Sequence, residues 1–150
     1  MQIDFLKKFL SKGSKNLSKE SDYAKHLYAL VLAGGGGTRL WPRSRNKSPK
    51  QFLSLFEGKT LTQITLNRLN KILPWKKIFV VTVSEEYRKE ILKEVPQMIK
   101  ENIFVEPARR ETGPAHGLGA LYISKIDPQA VIMTEAADRL VKPVERYLEI

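Results

Sequence analysis

Tyr28-Ala29-Leu30-Val31-Leu32-Ala33-Gly34-Gly35-Gly36-Gly37 is the stretch on which the fold turns. The six apolar residues run on without alternation, as a β-strand does when both of its faces are covered. They are too few for an ordinary helix, and the glycines end them abruptly. A buried strand running into a glycine turn is the starting point.

Further along the chain the same kind of run returns between helical patterns. Thr60 and Gln63 form a capping box, and Leu61, Ile64, Leu69 and Ile72 continue a helical stripe to Leu73-Pro74. Ile78-Phe79-Val80-Val81-Thr82-Val83 is a second buried strand. Ser84, Glu85 and Glu86 open a helix with Tyr87, Ile91 and Val95 on one face, and Pro96 stops it. Ile103-Phe104-Val105 is a third, shorter strand, and Thr112 and Pro114 start a helix through Leu118, Leu121 and Tyr122. Val131-Ile132-Met133-Thr134 is a fourth strand, and Pro143 opens a last helix. Fully apolar strands alternating with helices predict an α/β protein of three layers, a mostly parallel sheet with helices on both faces. Ligands of such sheets bind beyond the carboxyl ends of the strands. Three unusual segments follow strand ends: Gly34–Gln51, Glu106–Ala115 and Glu135–Arg139. The fold predicts that they share one crevice.

Toward the N-terminus, residues 1–26 read separately as a basic extension, and 27–150 as the globular part. Phe5, Leu6, Phe9 and Leu10 make a short amphipathic helix, and the polar, lysine-rich stretch after it reads as a linker. Asp4, Lys7 and Lys8 interrupt the apolar stretch, unlike a secretory signal. No run of 18 or more apolar residues occurs. The expectation is a cytoplasmic protein without a transmembrane segment. The absence of cysteine removes disulfides and thiolate metal sites. The end at Ile150, soon after the helix start at Pro143, predicts a fragment of a longer domain.

The net charge of +10 calls for an anionic partner. Arg39, Arg43, Arg45, Lys47 and Lys50 fall in one segment with no acid among them. Nucleic-acid binding spreads cations along a face and interleaves aromatic platforms. Concentration beside a glycine run points instead to a small polyanion. Glycine amides can close on such a ligand and form a concave anion site. A P-loop is ruled out, because it requires Lys and then Ser or Thr after its last glycine, and here Thr38-Arg39-Leu40 follow Gly37 without that spacing. The dinucleotide fingerprint fails too, since Leu40 or Arg39 occupies its third glycine position.

What remains is Gly34–Leu40, then Trp41-Pro42-Arg43-Ser44-Arg45, then Pro49-Lys50-Gln51-Phe52. This resembles the signature of the mannose-1-phosphate guanylyltransferases within the sugar nucleotidyltransferases, apart from Arg43, where that family has an apolar residue. Glu106-Pro107-Ala108-Arg109-Arg110-Glu111-Thr112-Gly113-Pro114-Ala115 is similar to the family's base-selecting turn, with Glu111 for Asn and Gly113 for Ala. Ala136-Ala137-Asp138-Arg139 stands where the family has Pro-Ala-Asp-His.

The resemblance implies a Rossmann-like nucleotidyltransferase fold and transfer of GMP from GTP to mannose 1-phosphate. It implies that Leu32, Ala33, Gly34, Gly35, Gly36, Gly37, Thr38 and Arg39, with Glu106, Thr112 and Ala115, hold the nucleotide. Arg39 and Lys50 would be the catalytic cations, and Asp138 would hold Mg2+. Their chemistry suits this: Arg39 presents a fork of donors to phosphate, Lys50 a mobile point charge, and Asp138 a hard oxygen ligand. His26 and His116 lack metal-ligand spacing and read as structural. The expected partners are GTP and a sugar 1-phosphate, not nucleic acid, with a homo-oligomer left open. Two other readings stay open: transfer to a different sugar 1-phosphate, and a catalytically impaired GTP-binding homologue, which Glu111, Ala136 and Arg139 suggest.

Overall fold

The computed structural model describes residues 24–35, 54–56, 58–108 and 111–147. Six strands and four helices are distributed over these segments. In chain order they are β1 (Leu27–Ala33), β2 (Ser54–Phe56), β3 (Lys59–Thr60), α1 (Leu61–Asn70), β4 (Ile78–Thr82), α2 (Glu85–Glu94), β5 (Ile103–Val105), α3 (Thr112–Ile126), β6 (Val131–Ala136) and α4 (Val144–Tyr147). Short 3-10 turns at Trp75–Lys77 and Lys100–Asn102 lead into β4 and β5.

The predicted α/β architecture is observed. Four strands form one parallel sheet in the order β5-β4-β1-β6. Ala29 pairs with Ile78 and Ala33 with Thr82 on one side of β1, and Leu27 pairs with Val131 and Leu32 with Ala136 on the other. The chain moves outward from β1 to β4 and β5, then returns to place β6 on the opposite side of β1. The strand order therefore reverses at β1, the kind of point where open α/β sheets bind ligands.

Alternation along β1 assigns each residue to a layer. Ala29, Val31 and Ala33 join Leu66, Leu69, Ile91 and Val95 in a buried cluster on the α1 and α2 side. Tyr28 and Leu30 join Phe79, Val81, Ala115 and Ile123 under α3. Helices thus lie on both faces, which is why β1 and β4 carry no polar face. Gly119 sets how close α3 comes. A Cβ there would stand 2.4 Å from a Leu30 methyl, so only glycine permits the present separation.

The helix starts follow their capping chemistry. Gln63 N donates to the Thr60 hydroxyl (3.2 Å), and Thr60 N donates to Gln63 Oε1 (3.0 Å), the expected capping box. Ser84 caps α2, accepting from Tyr87 N at 3.3 Å. The buried face of α1 differs from the predicted stripe. Leu61 and Leu69 are buried as expected, but Ile64 is only half-buried, while Thr62, Thr65 and Arg68 are fully packed. The antiparallel pair β2–β3, joined through Gly58 at φ 74°, has no hydrophobic pattern of its own and was not expected. His26 pairs with Asp127 at 2.8 Å, and His116 Nδ1 lies 2.8 Å from the Thr112 carbonyl.

Candidate functional site

At the carboxyl ends of β1, β4 and β6, backbone and side-chain bonds tie the strand ends together. The ladder runs past β5 through Glu106 N to Thr82 O (2.8 Å), and past β6 through Ala137 N to Leu32 O (3.0 Å). Between them the buried Thr82 hydroxyl donates to Ala33 O at 3.0 Å. These three bonds hold four chain segments in fixed register at the place where each leaves the sheet.

The segments enclose a cavity of about 290 Å3, near the lower end of the roughly 300–1,000 Å3 typical of small-molecule sites. Leu32, Ala33, Gly34 and Gly35 come from the end of β1, and Val81 and Val83 from β4. Glu106 follows β5; Glu111, Thr112 and Ala115 belong to the start of α3; Ala136, Ala137 and Asp138 end β6. The described parts of the three segments expected to share a crevice do so; of Gly34–Gln51 these include Gly34 and Gly35.

Of the expected nucleotide contacts, Leu32, Ala33, Gly34, Gly35, Glu106, Thr112 and Ala115 line this cavity, and Asp138 lines it as well. Gly36, Gly37, Thr38, Arg39 and Lys50 lie outside the described residues, as does the extension over residues 1–23. Val81, Val83 and Ala137 were missed, because as apolar strand-end residues they read as core. Their position one or two residues from a strand's carboxyl end is the signal that marks them.

Local sequence explains the shape. At Gly34 an added Cβ would come within 2.9 Å of Val83 Cγ1 and 3.5 Å of Glu106 Oε1. Glycine keeps that wall open. At the start of α3, Thr112 is the first helical residue and Glu111 the cap, with no side-chain capping bond. Glu111 has φ 69° and ψ −173°, a region normally reserved for glycine and costing about 1–3 kcal/mol. That strain sits in the cavity wall, and α3 directs its positive end at the same space.

The charge of the described wall is negative: Glu106, Glu111 and Asp138 contribute carboxylates, and no Lys or Arg lines it. Carboxylates suit base and sugar donors, or a cation. No group of three His, Cys, Asp or Glu side chains among the described residues is arranged to hold a metal ion. No helix among them is long and apolar enough to cross a membrane.

Comparison with known proteins agrees with this geometry. A family model described as nucleotidyl transferase matches residues 28–149. Mannose-1-phosphate guanylyltransferase of Escherichia coli K12 is 40% identical over 125 residues, which cover 81% of this chain and 26% of that protein. ManC of Salmonella typhimurium, also a mannose-1-phosphate guanylyltransferase, is 38% identical over 125 residues, with the same coverage. A crystal structure described as a mannose-1-phosphate geranyltransferase from Thermus thermophilus superposes with a TM-score of 0.69 at 36% identity, covering 83% of this chain and 36% of that one. The chain spans about a quarter of the length of these curated relatives. With the family match over most of its length and a sheet whose strand ends build the cavity, the chain belongs to the nucleotidyl transferase family.

Proposed function

We propose that this chain supplies the nucleotide-binding half of a mannose-1-phosphate guanylyltransferase. The observation that carries the reading is the convergence of three sequence-distant segments on one cavity at the point where strand order reverses. The 40% identity to a guanylyltransferase supports the choice of nucleotide and sugar.

In the proposed reaction a phosphate oxygen of mannose 1-phosphate attacks the α-phosphorus of GTP. The new O–P bond forms as the bond to the bridging oxygen breaks, and pyrophosphate leaves with that electron pair. The monoester's second pKa is about 6, so the attacking oxygen is already ionised and no general base is required. Catalysis then rests on positioning and charge neutralisation. Arg39 and Lys50 are the cations we assign to the phosphates. Glu106 and Glu111 offer acceptors suited to the N1–H and N2–H donors of guanine.

Mg2+ fits the described residues in a limited way. Asp138 offers one carboxylate, and this ion commonly binds through one or two carboxylates, substrate phosphates and water. We assign Asp138 as its protein ligand, where the ion would neutralise phosphate charge.

The test is product formation by the full-length protein from GTP and mannose 1-phosphate, followed by chromatography and pyrophosphate release. GDP-mannose is expected, with loss of about 100-fold or more in Lys50→Ala. Preference for another nucleotide or another sugar phosphate overturns the assignment.

A further inference from the structure

Behind the turn that carries Asp138 lies a charged cluster that does not line the cavity. Arg68 of α1 is 2% exposed. Its Nε, Nη1 and Nη2 have no hydrogen-bond partner among the described residues. The nearest carboxylate oxygen is Glu135 Oε2, 3.6 Å from Nη2, on a side chain that is itself only 9% exposed. The guanidinium stands 4.8 Å from the Tyr147 ring centroid, and the Tyr147 hydroxyl donates to the other Glu135 oxygen.

Three residues earlier on the same face of α1, the buried Thr65 hydroxyl donates to the Arg139 carbonyl at 3.5 Å. One helix therefore grips the chain on both sides of Asp138, at Glu135 before it and at Arg139 after it. Within that grip Ala137 N bonds Leu32 O at 3.0 Å, and Arg139 N bonds Ala136 O at 3.4 Å. Stability alone does not account for the arrangement. Well-packed apolar residues in place of a buried ion pair are often neutral or stabilising, and among the described residues this guanidinium has none of the hydrogen bonds that make such pairs tolerable.

We propose that Arg68 is a positioning residue: paired with Glu135 and Tyr147, it fixes the Glu135–Arg139 turn and so the stand of the Asp138 carboxylate in the cavity. The role rests on the assignment of Asp138 as the metal-holding group. Arg68 touches neither substrate nor metal. It acts only through the turn.

The test is the double variant Arg68→Met/Glu135→Leu, which removes both charges at similar volume and leaves only the half-buried Tyr147 hydroxyl without its acceptor. Its unfolding midpoint is expected to stay the same or rise. Amide hydrogen exchange at Ala137 and Arg139 should quicken about tenfold or more while the rest of the sheet keeps its protection. In the full-length protein the Mg2+ concentration for half-maximal GDP-mannose synthesis should rise about tenfold, with KM for GTP little changed.

A folded double variant with native exchange at the turn and a native Mg2+ requirement overturns the proposal. If the double variant does not fold, Tyr147→Phe keeps the ring and removes only the hydroxyl on Glu135. Exchange at the turn should then quicken about threefold, and unchanged or uniformly faster exchange counts against the clamp. Wild-type protein that makes no GDP-mannose refutes the proposed function by itself. The exchange comparison still decides whether the clamp exists.

Discussion

Glu94 offers a sharp test of how burial is distributed in this fold. It stands at the end of α2, half-buried, with its Oε2 accepting from the Thr60 hydroxyl at 2.7 Å. Burial is the largest influence and pushes its carboxyl up from 4.5 to about 7, against the Thr60 hydrogen bond and with help from Glu90. Between those values the folded chain holds a proton that the unfolded chain has released. Stability from this group is therefore complete below about pH 4.5 and is lost as pH rises through about 7. A gap of about 2.5 pH units at 1.36 kcal/mol each comes to about 3.4 kcal/mol. Solvent reaches the half-exposed carboxylate and screens much of that, leaving about 1–2 kcal/mol. Glu94→Gln keeps the shape and an acceptor for Thr60 but cannot ionise. It should match the wild type near pH 4.5 and exceed it by about 1–2 kcal/mol at pH 8. Urea unfolding followed by tryptophan fluorescence at a series of pH values measures this. An offset that is the same at both ends of the range, or a variant no more stable at pH 8, refutes the reasoning.

Other outcomes follow from features already described. Gly119→Ala forces a methyl to within 2.4 Å of the Leu30 side chain, and should destabilise by about 1–3 kcal/mol in the same unfolding assay. Gly34→Ala meets Val83 and Glu106 in the cavity wall; GTP affinity measured by calorimetry should fall about tenfold or more, and unchanged affinity would remove Gly34 from the site. Thr60→Ala removes the α1 cap and the donor to Glu94 together, so a loss of about 1–2 kcal/mol is expected, larger than the same change at an exposed position.

How much of this was legible beforehand depended on where the physical signal sits. The central strands β1 and β4 could be read because a parallel strand covered on both faces must be apolar throughout, as Ala29 to Ala33 and Ile78 to Val81 are. The cavity could be anticipated because strand ends, a glycine run and a helix start are local marks. Arg68 could not. Its spacing places it beside Leu69, where a charged residue reads as solvated, and its partner Glu135 is far away in sequence. The positive φ of Glu111 likewise could not be read, since nothing in a glutamate signals a conformation normally left to glycine, yet it is the cap of α3. The hairpin β2–β3 left no trace because such short strands carry too few side chains for a pattern. The cations Arg39 and Lys50 remain readings of the sequence, since they lie outside the described residues.

The strand-end cavity has a thermodynamic consequence. Its walls come from chain segments as far apart as Leu32 and Asp138. A molecule that fills it works as a removable cross-link between the first strand of the sheet and the last. Unfolding must release that molecule, so a ligand at 100 times its dissociation constant adds about 2.7 kcal/mol to the folded state. The melting temperature of the chain is therefore a gauge of which ligand the cavity takes, and it works whether or not a single turnover takes place.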